Sequence, residues 1–238
     1  MKISPVGKLA LAVALASTLG GGTARAQFSG LLQSIGGVPT SNSGANKADF
    51  GRLLNKTAAY VLGARIEFIG AQIDLSAALG LKTDALTKAS EGLRAVEGDS
   101  SSAGDKVKAI TDSSAVSESA RKEESARMAQ SDELNAESRV KFGQGSLKFI
   151  KAVILEKRQI DSIQQLVKQG KALTASANFM DKLTIVRSIA PATQLASMVP
   201  GDVQEGFTTF GEITDYAQKH NITVPSTADA EKQLGDGP

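Results

Sequence analysis

The chain predicts an all-α protein: an elongated helical bundle built around a long, coiled-coil-like helical hairpin, with no sheet. Three observations carry this reading. Apolar residues recur at three- and four-residue steps in each periodic stretch from Lys47 to His220, no alternating run is long enough to build a sheet, and Asp105 to Phe142 holds neither Pro nor Gly. Ala, Ser, Leu, Lys, Glu and Gln dominate the composition, a mixture that favours helix wherever periodicity supports it.

The first segment, residues 1–26, reads as a signal peptide. Lys2 and Lys8 give a basic start, Leu9 to Leu19 is almost wholly apolar, and Ala24 and Ala26 supply the small residues that a signal peptidase inspects. Cleavage is expected after Ala26, which makes the protein periplasmic or secreted. No Cys follows the apolar run and no paired arginines precede it, so neither a lipoprotein anchor nor the twin-arginine route is expected. Residues 27–46 include Gly36, Gly37, Pro39 and the run Ser41 to Asn46, a flexible lead-in by composition.

Residues 47–234 are expected to form a single all-helical domain. Leu53, Leu54, Ala58, Val61, Leu62, Ile66, Ile69 and Ile73 mark a first helix to about Leu81, on which Gly63, Gly70 and Ala77, seven apart, predict a close-packed seam. Thr83 is placed to cap a shorter helix through Leu86, Leu93 and Val96, and Gly98 to Gly104 is a linker. The polar, Ala-rich stretch that follows predicts a long exposed helix packing through small residues. Gly143 and Ser146 are suited to end one helix and cap the next, giving hairpin arms at about 105–142 and 146–171. Their lengths would be roughly 57 and 39 Å at about 1.5 Å per residue. Phe149, Val153, Ile160, Ile163 and Val167 lie on a near-heptad line in the second arm. Phe179 to Met198 forms another helix, with a kink or start at Pro191 and a stop at Pro200-Gly201. Phe207, Phe210, Ile213 and Tyr216 share a face of the next, Ser226 or Thr227 caps a short last helix, and residues 235–238 form a disordered tail.

The chemistry is restricted. The sequence has no Cys and no Trp, and a single His, His220, read as a cation at a helix end. Disulfides and cysteine nucleophiles are excluded, zinc and copper sites lack their usual ligands, and the Glu-x-x-His pairs of a carboxylate di-iron bundle do not occur. No cofactor and no metal is expected. Glu118, Glu123, Glu124, Glu133 and Glu137 lie among Lys, Arg and Ser at helical spacing, a pattern of surface ion pairs such as Glu118 with Lys122. Beyond residue 26 the chain carries 24 basic and 25 acidic side chains, so a nucleic-acid partner has no electrostatic support, and no apolar run there is long enough to span a membrane.

Charge is nonetheless segregated. Glu97 to Glu137 is net −5, Arg139 to Arg187 net +7, and Asp202 to Asp236 net −5. Either the basic helix lies between acidic neighbours, or Lys148, Lys151, Lys157, Arg158, Lys168 and Lys171 form an exposed strip for an anionic partner. The expected function is that of an exported, non-enzymatic helical protein of the bacterial cell envelope acting by binding or assembly. Its partner would be an envelope protein or an anionic envelope polymer or lipid, with homo-oligomerisation through the helices as a further mode. The alternatives are a secreted membrane-active helical protein, interfacial or pore-forming, and a carboxylate-based hydrolase. Mass spectrometry of the exported form is expected to find Gln27 at the N-terminus; a mature chain retaining Leu9 to Leu19 would contradict the export reading.

Overall fold

The computed structural model describes residues 47–98, 100–130, 133–177 and 179–234, with side chains not described at 179–184; the expected signal peptide, lead-in and tail lie outside the described residues. The described residues are helical and contain no strand. In chain order the helices are α1 (Lys47–Ala78), α2 (Asp84–Arg94), α3 (Ala103–Ala129), α4 (Ala136–Arg158), α5 (Ile160–Ser176), α6 (Phe179–Lys219) and α7 (Thr227–Leu234). They fall within one compact unit, Ala45–Pro238.

Helix α1 is the centre of this unit, packing most extensively on α4 and also on α2, α3, α5 and α6. Its sequence explains the position. Phe50, Leu54, Ala58, Val61, Leu62, Ile66, Phe68, Ile69, Ala71 and Leu75 are all buried, covering more of the helix than one apolar stripe would. The helix ends where Gly80 adopts φ +73, the Leu81 N–H reaches the Ser76 carbonyl at 2.8 Å and the Gly80 N–H reaches the Ala77 carbonyl at 3.2 Å. This is a Schellman ending, for which glycine's freedom at positive φ is suited. Asn221 (φ +52) closes α6 in the same way, with Ile222 bonded to Ala217.

Side chains fix several of the helix starts. Ser102 and Asp105 form a reciprocal capping box on α3, and the two serine hydrogen bonds hold the Asp105 carboxyl below its ordinary value. Ser226 and Asp229 repeat the device on α7, and Asn135 accepts from the Ser138 N–H at 2.9 Å on α4. Thr83 precedes α2 as expected, but its side chain makes no capping bond. The linker before α3 is tied down by buried Lys106, whose Nζ donates to the Gly98 and Ser101 carbonyls at 2.9 Å each.

Three expectations are corrected. The hairpin arms 105–142 and 146–171 are not the helices: α3 stops at Ala129, α4 runs unbroken through Gly143 and Gly145, and the next break is at Gln159. Helices α3 and α4 do not pair along their backbones as hairpin arms would; each packs on α1. The glycines serve packing instead of a bend. A Cβ on Gly145 would come within 3.0 Å of Leu75 Cγ and 3.1 Å of the Leu75 backbone nitrogen, so this glycine lets α4 lie close on α1. Ser146, expected as a cap, is buried inside α4 and donates to the Phe142 carbonyl at 2.7 Å.

The second correction concerns Gly63, Gly70 and Ala77. A Cβ on either glycine would meet nothing within 4 Å, and Ala77 is exposed, so this line faces away from the neighbouring helices. Close approach occurs instead at Gly145 and at Gly206 of α6, where an added Cβ would lie 2.6 Å from Val153 Cγ2. Third, α6 continues through both Pro191 and Pro200 to Lys219, and Pro200-Gly201 does not end it. The side chains of residues 179–184, at the start of this helix, lie outside those described.

The polar stretch of α3 is helical throughout and buries small residues: Ala103, Ser113, Ser117 and Ala120. Its packing is as the composition predicts. The near-heptad line also packs inward, with Phe149, Val153 and Ile163 each no more than 1% exposed, and Phe149 stacks on Phe68 with centroids 4.7 Å apart. Phe207 and Phe210 pack with Leu147 and Leu234 around Ile150, Ile154 and Ala230, which docks α7 on α4.

Gly145→Ala and Gly206→Ala are expected to lower stability by about 1–3 kcal/mol each, the cost of forcing extra volume into a packed crossing. Gly63→Ala and Gly70→Ala are expected to raise it by about 0.5–1 kcal/mol each, because the added methyls meet open space in a helix. Urea denaturation followed by circular dichroism measures all four; the reverse ranking would refute the assigned crossings.

Candidate functional site

Helix α1 carries a second pattern inside its apolar one. Arg65, Gln72 and Ser76 are seven and four residues apart, which at about 100° per residue places them within roughly 40° of one another around the helix. All three are buried. Buried polar groups require partners, and neighbouring helices supply them.

The uncharged part lies toward the C-terminal end of α1. Gln72 Nε2 donates to the Ser117 carbonyl at 3.0 Å, and Ser117 Oγ donates back to Gln72 Oε1 at 2.7 Å. Ser76 Oγ donates to Glu124 Oε1 at 2.7 Å. Glu124 is 1% exposed and its Oε2 has no hydrogen-bond partner. Burial pushes this carboxyl up to about 8, against the opposing pull of the Ser76 hydrogen bond and the Arg121 charge.

The charged part is centred on Arg65, 3% exposed, which is ion-paired with Asp202 of α6. Its Nε lies 3.7 Å from Oε1 of Glu156 on α4, close enough for charge attraction but beyond a hydrogen bond, and this Nε has no hydrogen-bond partner. Burial lowers the affinity of Arg65 for its proton, but the charges of Glu156 and Asp202 outweigh it and the guanidinium stays ionised. Glu156 is 1% exposed, with neither carboxyl oxygen hydrogen-bonded, and burial pushes it up to about 7 although Arg65 and Arg121 pull the other way. Arg121 pairs with Glu205 of α6 at 2.6 Å. The result is a polar seam joining α1, α3, α4 and α6.

The sequence reading placed Glu124 among surface ion pairs, and this is corrected: its carboxyl is sealed between α3 and α1. Glu118 does pair with Lys122 at 2.6 Å, and Glu137 with Lys141 at 2.8 Å. Arg127 donates to the Leu79 carbonyl at 3.2 Å and to Gln130 at 2.8 Å. His220 ends α6 as expected, but as a packed ring: it is buried, 4.4 Å from the Tyr216 ring, which itself lies 5.2 Å from Phe142. Its Nε2 has no hydrogen-bond partner.

The six cations of the expected basic strip are divided between α4 and α5. Lys148 is about half exposed and bonds Asp74 of α1 at 2.7 Å. Lys151 and Arg158 are half-buried and lie on the same flank of α4 as Lys148. Lys157 is exposed on another flank, with Nζ 5.7 Å from the centroid of the Phe207 ring. Lys168 is exposed and Lys171 half-buried on α5.

A cavity of about 220 Å³ lies between Phe50, Leu54, Leu173, Ile185 and Ile189, and one of about 180 Å³ beside Gly80, Arg127, Asn135 and Tyr216; neither is lined by Glu124 or Glu156. Among the described residues no group of three His, Asp or Glu side chains is placed to hold a metal ion, and no helix is long and apolar enough to cross a membrane. No protein-family model, curated protein or solved structure matches the chain.

Arg65→Ala is expected to destabilise the protein by about 3–5 kcal/mol, since it strands the carboxylate of Asp202 and opens a void. Ser76→Ala is expected to cost about 1 kcal/mol, the net worth of one hydrogen bond to a buried carboxyl. Thermal unfolding of the two variants tests the ranking; equal, small effects would contradict the seam.

Proposed function

We propose that this chain is an exported, non-enzymatic helical protein of the bacterial envelope that acts by binding or assembly, with an anionic envelope polymer or lipid headgroup as its partner. The observation that carries this reading is the division of its ionisable groups. The carboxyls with the most altered proton affinity, Glu124 and Glu156, are each 1% exposed between helices, where they serve packing and cannot reach a substrate. Exposed cations occur on several helices, and the stretch richest in them by sequence, Arg139 to Arg187, places Lys148, Lys157 and Lys168 of α4 and α5 in contact with solvent, where they can meet a ligand through charge. A surface carboxylate hydrolase would need the opposite arrangement, with perturbed carboxyls lining a cleft.

The membrane-active alternative draws less support. Its apolar segment, Leu147 to Val167, has Phe149, Ile150, Val153, Ile154, Ile163 and Leu166 buried against other helices, so release of these side chains would require the unit to open.

The triple variant Lys151→Gln, Lys157→Gln, Arg158→Gln is expected to change the melting temperature little, since Lys157 is exposed, Lys151 and Arg158 are half-buried with none of the three fully enclosed, and ion pairs in contact with solvent contribute only about 0–1 kcal/mol each. Its binding to anionic vesicles should fall, and added salt should reproduce the loss in the parent protein. A clear drop in melting temperature together with salt-insensitive binding would refute the electrostatic mode.

A further inference from the structure

The polar seam contains more buried acid than its cations can balance. Two guanidiniums, Arg65 and Arg121, face four carboxyls: Asp202, Glu205, Glu156 and Glu124. Asp202 and Glu205 are the direct partners of the arginines and are partly in contact with solvent, at 24% and 53% side-chain exposure. Glu156 and Glu124 are left without a cation of their own. An unpaired carboxylate in such a place is costly, and a bound proton removes the cost.

Glu156 differs from Glu124 in what it can do on losing that proton. Glu124 accepts from Ser76 and feels the charge of Arg121, whose Nε is likewise unbonded, but Arg121 makes its ion pair with Glu205 and the Ser76 hydrogen bond already holds one of the Glu124 oxygens. Glu156 has two unbonded oxygens, and Oε1 lies 3.7 Å from the unbonded Nε of Arg65. Small rotations of either side chain would close that gap to hydrogen-bond distance. The charged groups facing Glu156 are Arg65 from α1, Asp202 from α6 and Arg121 from α3. The ionisable residues of α7 and the adjoining turn of α5 (Asp229, Glu231, Lys232 and Asp161) are exposed.

We propose that Glu156 is a proton-controlled latch: when it loses its proton it draws Arg65 away from Asp202, and the tie between α1 and α6 loosens. The proton passes to solvent base, the new carboxylate takes the Arg65 Nε–H, and Asp202, already partly exposed, becomes hydrated. Helix α6 has few other contacts with α1, so this ion pair is a large share of their direct connection. The device rests on the seam and is independent of the proposed binding function.

The pH direction follows. Burial raises Glu156 to about 7 and Glu124 to about 8 from an ordinary 4.5. Between the ordinary and the raised value the folded protein holds more protons than the unfolded chain, so stability falls as pH rises through that window and levels off above it.

Amide exchange by mass spectrometry on the full chain, corrected for the intrinsic pH dependence of exchange, tests the latch. Between about pH 5.5 and 8.5 the α6 peptides around Asp202 are expected to lose protection by about tenfold or more. Glu156→Gln, neutral at every pH and of similar shape, should abolish the excess loss at the Asp202 peptides over the rest of the unit, leaving the general fall that Glu124 contributes, whereas Glu124→Gln should preserve that excess. An unchanged parent protein, or a Glu156→Gln variant that responds like the parent, overturns the proposal. Should Glu156→Gln fail to fold, carboxyl-carbon NMR titration of the parent protein decides: a glutamate titrating near 7 together with a shift of the Arg65 Nε–H supports the latch, and glutamates all titrating below about 5.5 overturn it.

Discussion

A guanidinium 3% exposed in the central helix is the constraint around which the other helices are arranged. Arg65 cannot shed its charge, so its surroundings must provide carboxylate, and the only way to bring carboxylate to the middle of α1 is from other helices. Asp202 of α6 supplies it, and Glu156 brings α4 to within 3.7 Å of the same guanidinium without a hydrogen bond. The same face of α1 continues through Gln72 and Ser76, which hold α3 by hydrogen bonds to Ser117 and Glu124. Apolar burial supplies most of the driving force for such a bundle, but it is tolerant of sliding and rotation. Directional polar contacts along α1 set its register against α3 and α6.

Close helix approach and the polar seam depend on each other. Short side chains such as Ser76 and Ser117 meet partners where α1 and α3 lie near, while Gly145 and Gly206 provide the close crossings of α4 with α1 and of α6 with α4. The latter brings α6 against the helix that carries Glu156, three residues from Val153. Crowded glycines and buried ions thus hold the same helices together, one by shape and the other by charge. Their pH behaviour differs, because packing around a glycine is indifferent to protons while the seam is not.

Helix content was legible because the three- and four-residue periodicity in α1, α4 and α5 is strong and α3 lacks breakers. Helix ends were less so. Gly143 and Gly145 carry the sequence signature of a bend, and only the nearness of the Thr223 carbonyl to the first and of Leu75 to the second shows that they are contact residues. The prolines of α6 likewise mark breaks by rule, yet the helix persists through them. The seam did leave a trace in the sequence: Glu156 falls on the apolar line between Val153 and Ile160, Glu124 falls between Ala120 and Met128, and Arg65 falls between Val61 and Ile69. An ionisable group on an apolar line is a candidate for burial, whereas reading Glu124 by its charged sequence neighbours placed it at the surface. Which carboxyl meets which arginine depends on contacts 84 to 137 residues apart, and spacing along one helix does not encode that.

The most direct test of the central claim is a double-mutant cycle on Arg65 and Asp202, using Arg65→Met and Asp202→Leu with stability measured near pH 6. If this pair fixes α6 against α1, the double variant should be more stable than the sum of the single losses implies, with a coupling of about 1–3 kcal/mol. Losses that add to within about 0.5 kcal/mol would show that the buried arginine does not organise the bundle.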